Sequence, residues 1–296
     1  MREVYTSALP ATCVLLGQAA AVSSYEDYSA TAAVYDDTRG AIGYEVILGV
    51  LCALPGTLEN RVLLDAGCGT GNYSAALAAH VGRIEAVDVN PQMLAMARAK
   101  LAARTAHGRV RFHVATVDAL PLAAASVDAA MLNQVLHHLP VEPHWAAHAG
   151  VLRELARVLR PGGLLSINMS THEQLGRGFW PYHLAPQALA EVLRRHPSLD
   201  ELDALLRTAG FTVKSRIVPA SQPMQGAAYA DVRGPLRPEW RRGDSFWALC
   251  GREELDAALA RLRELDAAGE LEAYAREYDR DRQSLGQITF VFAEKS

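Results

Sequence analysis

The chain has 296 residues, half of them apolar and 21% charged, a composition that excludes disorder as its overall state and supplies enough length for a sizeable core. Lysines and arginines total 29 against 33 aspartates and glutamates, so the net charge of −4 offers no global basic field for a phosphate backbone and argues against nucleic acid as a partner. Cys13, Cys52, Cys68 and Cys250 lie far apart, without metal-finger or disulfide spacing, which fits a reducing, cytoplasmic setting and no structural metal.

About 60 residues precede the first strand pattern. Their most apolar stretch, Thr12 to Val22, is interrupted by Gly17 and Gln18 and is too short to span a bilayer. Arg2 and Glu3 cancel before it and polar Ser23 to Asp27 follow directly, so it also departs from a secretory leader; no membrane partner is expected. Arg61 to Ala66 is a short apolar run ending at a carboxylate and a glycine cluster, the pattern of a buried parallel strand feeding a turn and helix. An Ala/Leu-rich helix over Ser74 to His80 and a strand over Ile84 to Val87, closed by Asp88, come next.

Asn90 and Pro91 form an N-cap and first-turn pair for a helix with Met93, Met96, Ala97 and Leu101 at helical spacing. Val110 to Ala115 and Val127 to Leu132 read as strands three and four. Val151 to Leu159 reads as a helix stopped by Pro161-Gly162-Gly163, with Leu164 to Asn168 as strand five. Ser198 to Glu201 is a capping box opening a helix that ends at Gly210, and Phe211 to Val218 and Ile288 to Ala293 are the last two strands. This alternation predicts an α/β fold, a parallel sheet with helices on both faces. The chain divides into an N-terminal lid (1–60), a core (61–218), a helical cap insertion (219–286) and a last strand (287–296). Within the insertion, Leu255, Leu259, Leu262, Leu265, Leu271, Tyr274 and Tyr278 recur at helical spacing among charges, which predicts a solvated helical hairpin.

The most specific stretch is Leu63-Leu-Asp-Ala-Gly-Cys-Gly-Thr-Gly-Asn72. Glycines at 67, 69 and 71 let the backbone turn tightly where a helix N-terminus presents free N–H groups to a ligand. A dinucleotide fingerprint needs its third glycine at position 72, which is Asn here, so the spacing disfavours a nicotinamide cofactor.

The stretch closely resembles the first motif of class I S-adenosylmethionine-dependent methyltransferases of the small-molecule type, D-x-G-x-G-x-G. Glu85 to Leu94, Ala115 to Leu122, Ser126 to Leu139 and Leu152 to Asn168 resemble that family's second to fifth motifs, in order. The resemblance implies a Rossmann-like sheet of about seven strands, mostly parallel with an antiparallel last strand, and S-adenosylmethionine as cofactor with S-adenosylhomocysteine as product. By position it places Asp65, Gly67, Gly69 and Gly71 around the methionine half of the cofactor. Asp88 would take both ribose hydroxyls, since a carboxylate offers two oxygens to a vicinal diol. Val89 and Met93 would enclose the adenine, Asp118 would accept from its exocyclic amine, and the Ala119 N–H would meet a ring nitrogen. Asn133 would sit near the methionine chain or the acceptor. Tyr28, Tyr35 and Arg39 would belong to a lid closing over the cofactor carboxylate.

Methyl transfer from a sulfonium needs alignment and, for some acceptors, removal of a proton. Candidate bases project from strand ends: His137 and His138 after strand four, and His172 with Glu173 after strand five. Phe179, Trp180, Tyr182, Trp240, Phe246 and Trp247 fall in regions expected to roof the acceptor and hint at an apolar or planar small molecule. The expected activity is methylation of a small organic acceptor, plausibly a secondary metabolite, on oxygen, nitrogen or carbon. The alternatives are a nicotinamide-dependent oxidoreductase and a non-catalytic cofactor-binding partner protein.

Overall fold

The computed structural model describes residues 39–296 together with Asp36. Tyr28 and Tyr35 lie outside the described residues. A seven-stranded sheet runs in the order β3-β2-β1-β4-β5-β7-β6, formed by β1 (Val62–Ala66), β2 (Arg83–Asp88), β3 (Val110–Val114), β4 (Val127–Asn133), β5 (Leu159–Met169), β6 (Phe211–Ile217) and β7 (Thr289–Lys295). The first five strands are parallel and β7 is antiparallel to both β5 and β6, as the family resemblance implied.

β1 is buried over four of its five residues because helices cover both faces, which is why it reads as a continuous apolar run rather than an alternation. Two apolar clusters fill those faces. One gathers Leu64, Val87, Leu132, Val151, Leu155 and Leu202; the other gathers Leu63, Ile84, Leu94, Met131, Phe290 and Phe292 with Ile47 and Leu51 of the helix Tyr44–Cys52. Asn90 caps the helix Pro91–Lys100 by accepting from Gln92 N at 2.8 Å and Met93 N at 3.3 Å. Ser198 and Glu201 form the capping box of the helix Leu199–Thr208.

Two boundaries differ from the sequence pattern. Pro161-Gly162-Gly163 does not separate a helix from a strand: the helix Ala146–Val158 ends one residue earlier, Leu159 is already extended and pairs with Val127, and the three residues lie inside β5. A register shift between Val127 and Ala129, with Gly162 at φ +73°, absorbs them as an irregularity in the ladder. The cap is also larger than the insertion before β7. Leu175, Phe179, Trp180, Tyr182, Ala188 and Val192, on the segment after β5, share a third apolar cluster with Trp240, Phe246, Leu262 and Leu271. The predicted hairpin is present as helices Arg252–Ala267 and Leu271–Asp279, which bury Leu259, Leu262, Leu265 and Leu271 in that cluster. No helix among the described residues is long and apolar enough to cross a membrane.

Candidate active site

The site lies at the carboxyl ends of β1, β4 and β5, where a cleft opens beneath the cap. Parallel α/β sheets bind ligands at this edge because helix N-termini and loop backbones converge there. The glycine turn leaves β1 with Gly67 at φ +75° and Gly69 at φ +52°. A side chain at 67 would meet Val135 Cγ2 at 2.5 Å, so that glycine lets the turn pack against the segment after β4. Gly69 differs: nothing lies within 4 Å of where its Cβ would be, and its bare backbone faces the cleft. Gly71 is the left-handed N-cap residue of the helix Asn72–Leu77.

Two carboxylates frame this turn. Asp88 at the end of β2 accepts from Gly69 N through Oδ2 and from Asn90 N through Oδ1, both at 2.8 Å, which ties the turn to the neighbouring strand. Burial raises its pKa while the backbone N–H groups pull it down. Asp65 is wholly buried and accepts from Ser74 Oγ at 2.7 Å; burial pushes its pKa up to about 7, against the Ser74 bond and helped by the nearby Asp88 charge. A cation placed beside it would restore its ionisation.

Around the turn, Met93 is buried and Val89 half-buried beside Asp88, while Asp118 and Ala119 are exposed. In this structure the Ala119 N–H donates to Thr116 O at 3.2 Å. Arg39, Asp65, Gly67, Gly69, Asn133, His137 and His138 come together on the cleft wall, whereas Gly71, Asp88, Val89, Met93, Asp118 and Ala119 lie outside its lining.

The segment before the core helix is pinned to the turn by the residue that breaks the dinucleotide pattern. Asn72 Nδ2 donates to Asp36 Oδ1 and to the Arg39 carbonyl, both at 3.0 Å, and Thr70 Oγ1 donates to Asp36 Oδ1 at 2.6 Å. A glycine at 72 would forfeit both Asn72 bonds. Arg39 reaches the cap, where Asp244 accepts from it at 3.2 Å. Asp244 is buried and also accepts from Tyr182 Oη, Gln225 Nε2 and Phe246 N.

His137 and His138 both reach the cleft. His137 is buried and stacked on His196 with ring centroids 4.7 Å apart, and burial holds it well below the usual histidine range. Burial, with His196, Arg39 and Arg195 nearby, lowers His138 to about 3, so it is neutral and weakly basic at neutral pH.

His172 and Glu173 are not brought to the cleft. His172 Nε2 bonds the His196 carbonyl at 2.8 Å, and Glu173 is exposed and paired with Arg177 at 2.7 Å, because both stand on a helix (His172–Arg177) that turns away to carry the cap. The aromatic residues also differ from expectation. Phe179, Tyr182 and Phe246 stack on one another at 4.6 and 3.7 Å inside the cap, Trp180, Trp240 and Trp247 are buried with them, and none of the six lines the cleft. Sequence reasoning passed over Gln134, Asn168 and Tyr73, which do line it. The available signal was a pair of amides closing an apolar strand.

A family model described as a methyltransferase domain matches residues 64–167, the span from β1 through most of β5. Ubiquinone/menaquinone biosynthesis C-methyltransferases from Klebsiella pneumoniae and Escherichia coli are 28% identical over 177 residues, covering 53% of this chain and 68% of theirs. Residues 64–167 are thus the catalytic domain of a class I S-adenosylmethionine-dependent methyltransferase. The chain is accordingly an enzyme that uses S-adenosylmethionine, and the nicotinamide and non-catalytic alternatives are set aside. The methyltransferase fold extends through the cap. A protein described as a methyltransferase from an antibiotic biosynthesis pathway of Anabaena variabilis superposes with a TM-score of 0.65 at 24% identity, over 88% of this chain and 99% of that one. Geranyl diphosphate C-methyltransferase from Streptomyces coelicolor, solved with S-adenosylhomocysteine, gives 0.52 at 14% identity over 85% of this chain and 79% of that one.

The described residues fit the cofactor. The bare backbone at Gly69 admits close approach, and Asp65 offers a buried acceptor for a charged amine.

Proposed function

We propose that this methyltransferase acts on a small organic acceptor, a secondary metabolite, held under the cap at the ends of β4 and β5. The observation that carries the reading is the cleft itself: one wall is the glycine turn with Asp65, and the opposite wall belongs to β4, β5 and the cap. The net charge of −4 gives no support to a nucleic-acid acceptor, and the free thiols Cys52, Cys68 and Cys250 suit a reducing cytoplasm.

The cofactor supplies an electrophilic methyl group on a sulfonium. The chain's task is to orient and enclose. Asp65 and the turn hold the charged methionine end, Asp88 holds the ribose, and Arg39 and Asp244 join the lid segment to the cap so that water is kept from the sulfonium. His138, neutral and weakly basic, orients the acceptor by hydrogen bonding rather than removing its proton. His172 and Glu173 have no part in the reaction. Incubation with S-adenosylmethionine labelled on its methyl group, across a panel of small hydroxylated, amino and carbon-acid metabolites, tests the reading. Label recovered in a small product supports it. Retention of label on the cofactor across the panel, with transfer to RNA or protein instead, overturns it.

A further inference from the structure

Sheet order decides which wall is left for the acceptor. Apart from Arg39 of the lid and Asn133, which the resemblance leaves between cofactor and acceptor, the residues assigned to the cofactor stand on β1, β2 with the helix after it, and the loop after β3, on one side of the glycine turn; β4 and β5 lie on the other side. The ends of β4 and β5 are in register at Asn133 and Asn168, so the remaining wall begins with two amides.

Asn168 is buried and fully engaged: its Nδ2 donates to Tyr73 Oη at 2.8 Å and its Oδ1 accepts from Gln134 Nε2 at 2.9 Å. Gln134 is fixed twice over. Its backbone N–H donates to the Asn168 carbonyl at 2.9 Å, and its φ is +55°, a left-handed conformation that a non-glycine residue keeps only where its surroundings enforce it and that concentrates at ligand sites. These constraints set the plane of the Gln134 amide on the cleft wall and leave its Oε1 without a partner among the described residues. Next to it, Asn133 Nδ2 and Oδ1 are both shielded from solvent and unpartnered among the described residues. A buried amide without partners destabilises the fold unless a ligand completes it. The aromatic rings that would favour an apolar acceptor are spent on the cap's own core.

We propose that Asn133 and Gln134 select a polar acceptor, one that carries beside the methylated atom an edge able both to donate and to accept hydrogen bonds, such as a hydroxyl next to a carbonyl or a carboxamide. The inference rests on the proposed small-acceptor reading of the cleft. Selectivity of this kind is strong because a ligand lacking the polar edge leaves the amides unpaired.

The test uses the full chain saturated with S-adenosylhomocysteine and two probes of similar shape, salicylamide and indane, with binding measured by calorimetry. Salicylamide is expected to bind at least about ten-fold tighter than indane. Asn133→Leu, which replaces the amide by a hydrocarbon of similar size, is expected to abolish that preference, change S-adenosylhomocysteine affinity less than about three-fold, and raise the melting temperature by about 2–4 °C. The stability gain is the readout a structural role would reverse. Equal binding of the two probes by the unaltered protein overturns the proposal, as does a preference that survives Asn133→Leu or a fall in melting temperature. Loss of S-adenosylhomocysteine affinity in Asn133→Leu also overturns it, by giving the amide to the cofactor. Failure of the unaltered protein to bind S-adenosylhomocysteine would instead strike the reading beneath it.

Discussion

The two halves of the cleft are built in opposite ways. The cofactor half is local: one turn, Gly67 to Gly71, follows one strand and is closed by a carboxylate on the next, through Gly69 N to Asp88. The half proposed for the acceptor is assembled from Arg39, Asn133, Gln134, His137, His138, Asn168, Met224 and Ser245, which meet only when the sheet, the segment before it and the cap are all in place. A local device keeps its chemistry whatever covers it, whereas an assembled one depends on every segment that contributes.

That contrast can be broken experimentally. The largest expected effect is at Asp88. Asp88→Ala removes both acceptors for a ribose diol, and two charge-assisted hydrogen bonds at roughly 1.5–3 kcal/mol each correspond to at least about a hundred-fold loss of S-adenosylhomocysteine affinity by calorimetry. Asp244→Ala should do the reverse. It strips Arg39, Tyr182 and Gln225 of a common buried acceptor, at a cost of about 3–5 kcal/mol visible as a lower melting temperature, while cofactor affinity falls less than about ten-fold. An affinity loss as large as that of Asp88→Ala would show the halves to be inseparable.

A smaller effect follows from Asp65. Its carboxyl is raised in the folded state to about 7, so its contribution to stability is present below the ordinary carboxylate range and is lost as pH rises to about 7. Binding of an ammonium favours the ionised form, so S-adenosylhomocysteine affinity should climb by up to about ten-fold per pH unit from pH 5 and level off above about 7. Asp65→Asn should flatten this profile in calorimetry. The smallest effects are expected at His172→Ala and Glu173→Ala, which should leave methyl-transfer turnover within about two-fold of the unaltered enzyme, since neither side chain reaches the cleft.

The same division explains what was legible beforehand. Strand order of appearance, the Asn90 and Ser198 caps and the glycine turn are encoded by residues within ten positions of one another, so spacing alone exposes them. The start of β5 was hidden because Pro161-Gly162-Gly163 reads as a stop, although a ladder irregularity accommodates it. The cap aromatics were placed over the acceptor because their number is visible in sequence but their mutual stacking is not. His172 and Glu173 follow a strand end, as a base should, yet the direction of the next helix, decided by packing against Phe179 and Val192, takes them elsewhere. Gln134 went unnoticed for a related reason: a left-handed φ at glutamine leaves no mark on the sequence.

The cap keeps a core of its own, separate from the two apolar clusters of the sheet. A substitution inside that third core is therefore absorbed within the roof, and the strands that carry the glycine turn and Asp88 keep their packing, much as a lid can be dented without bending the box beneath it.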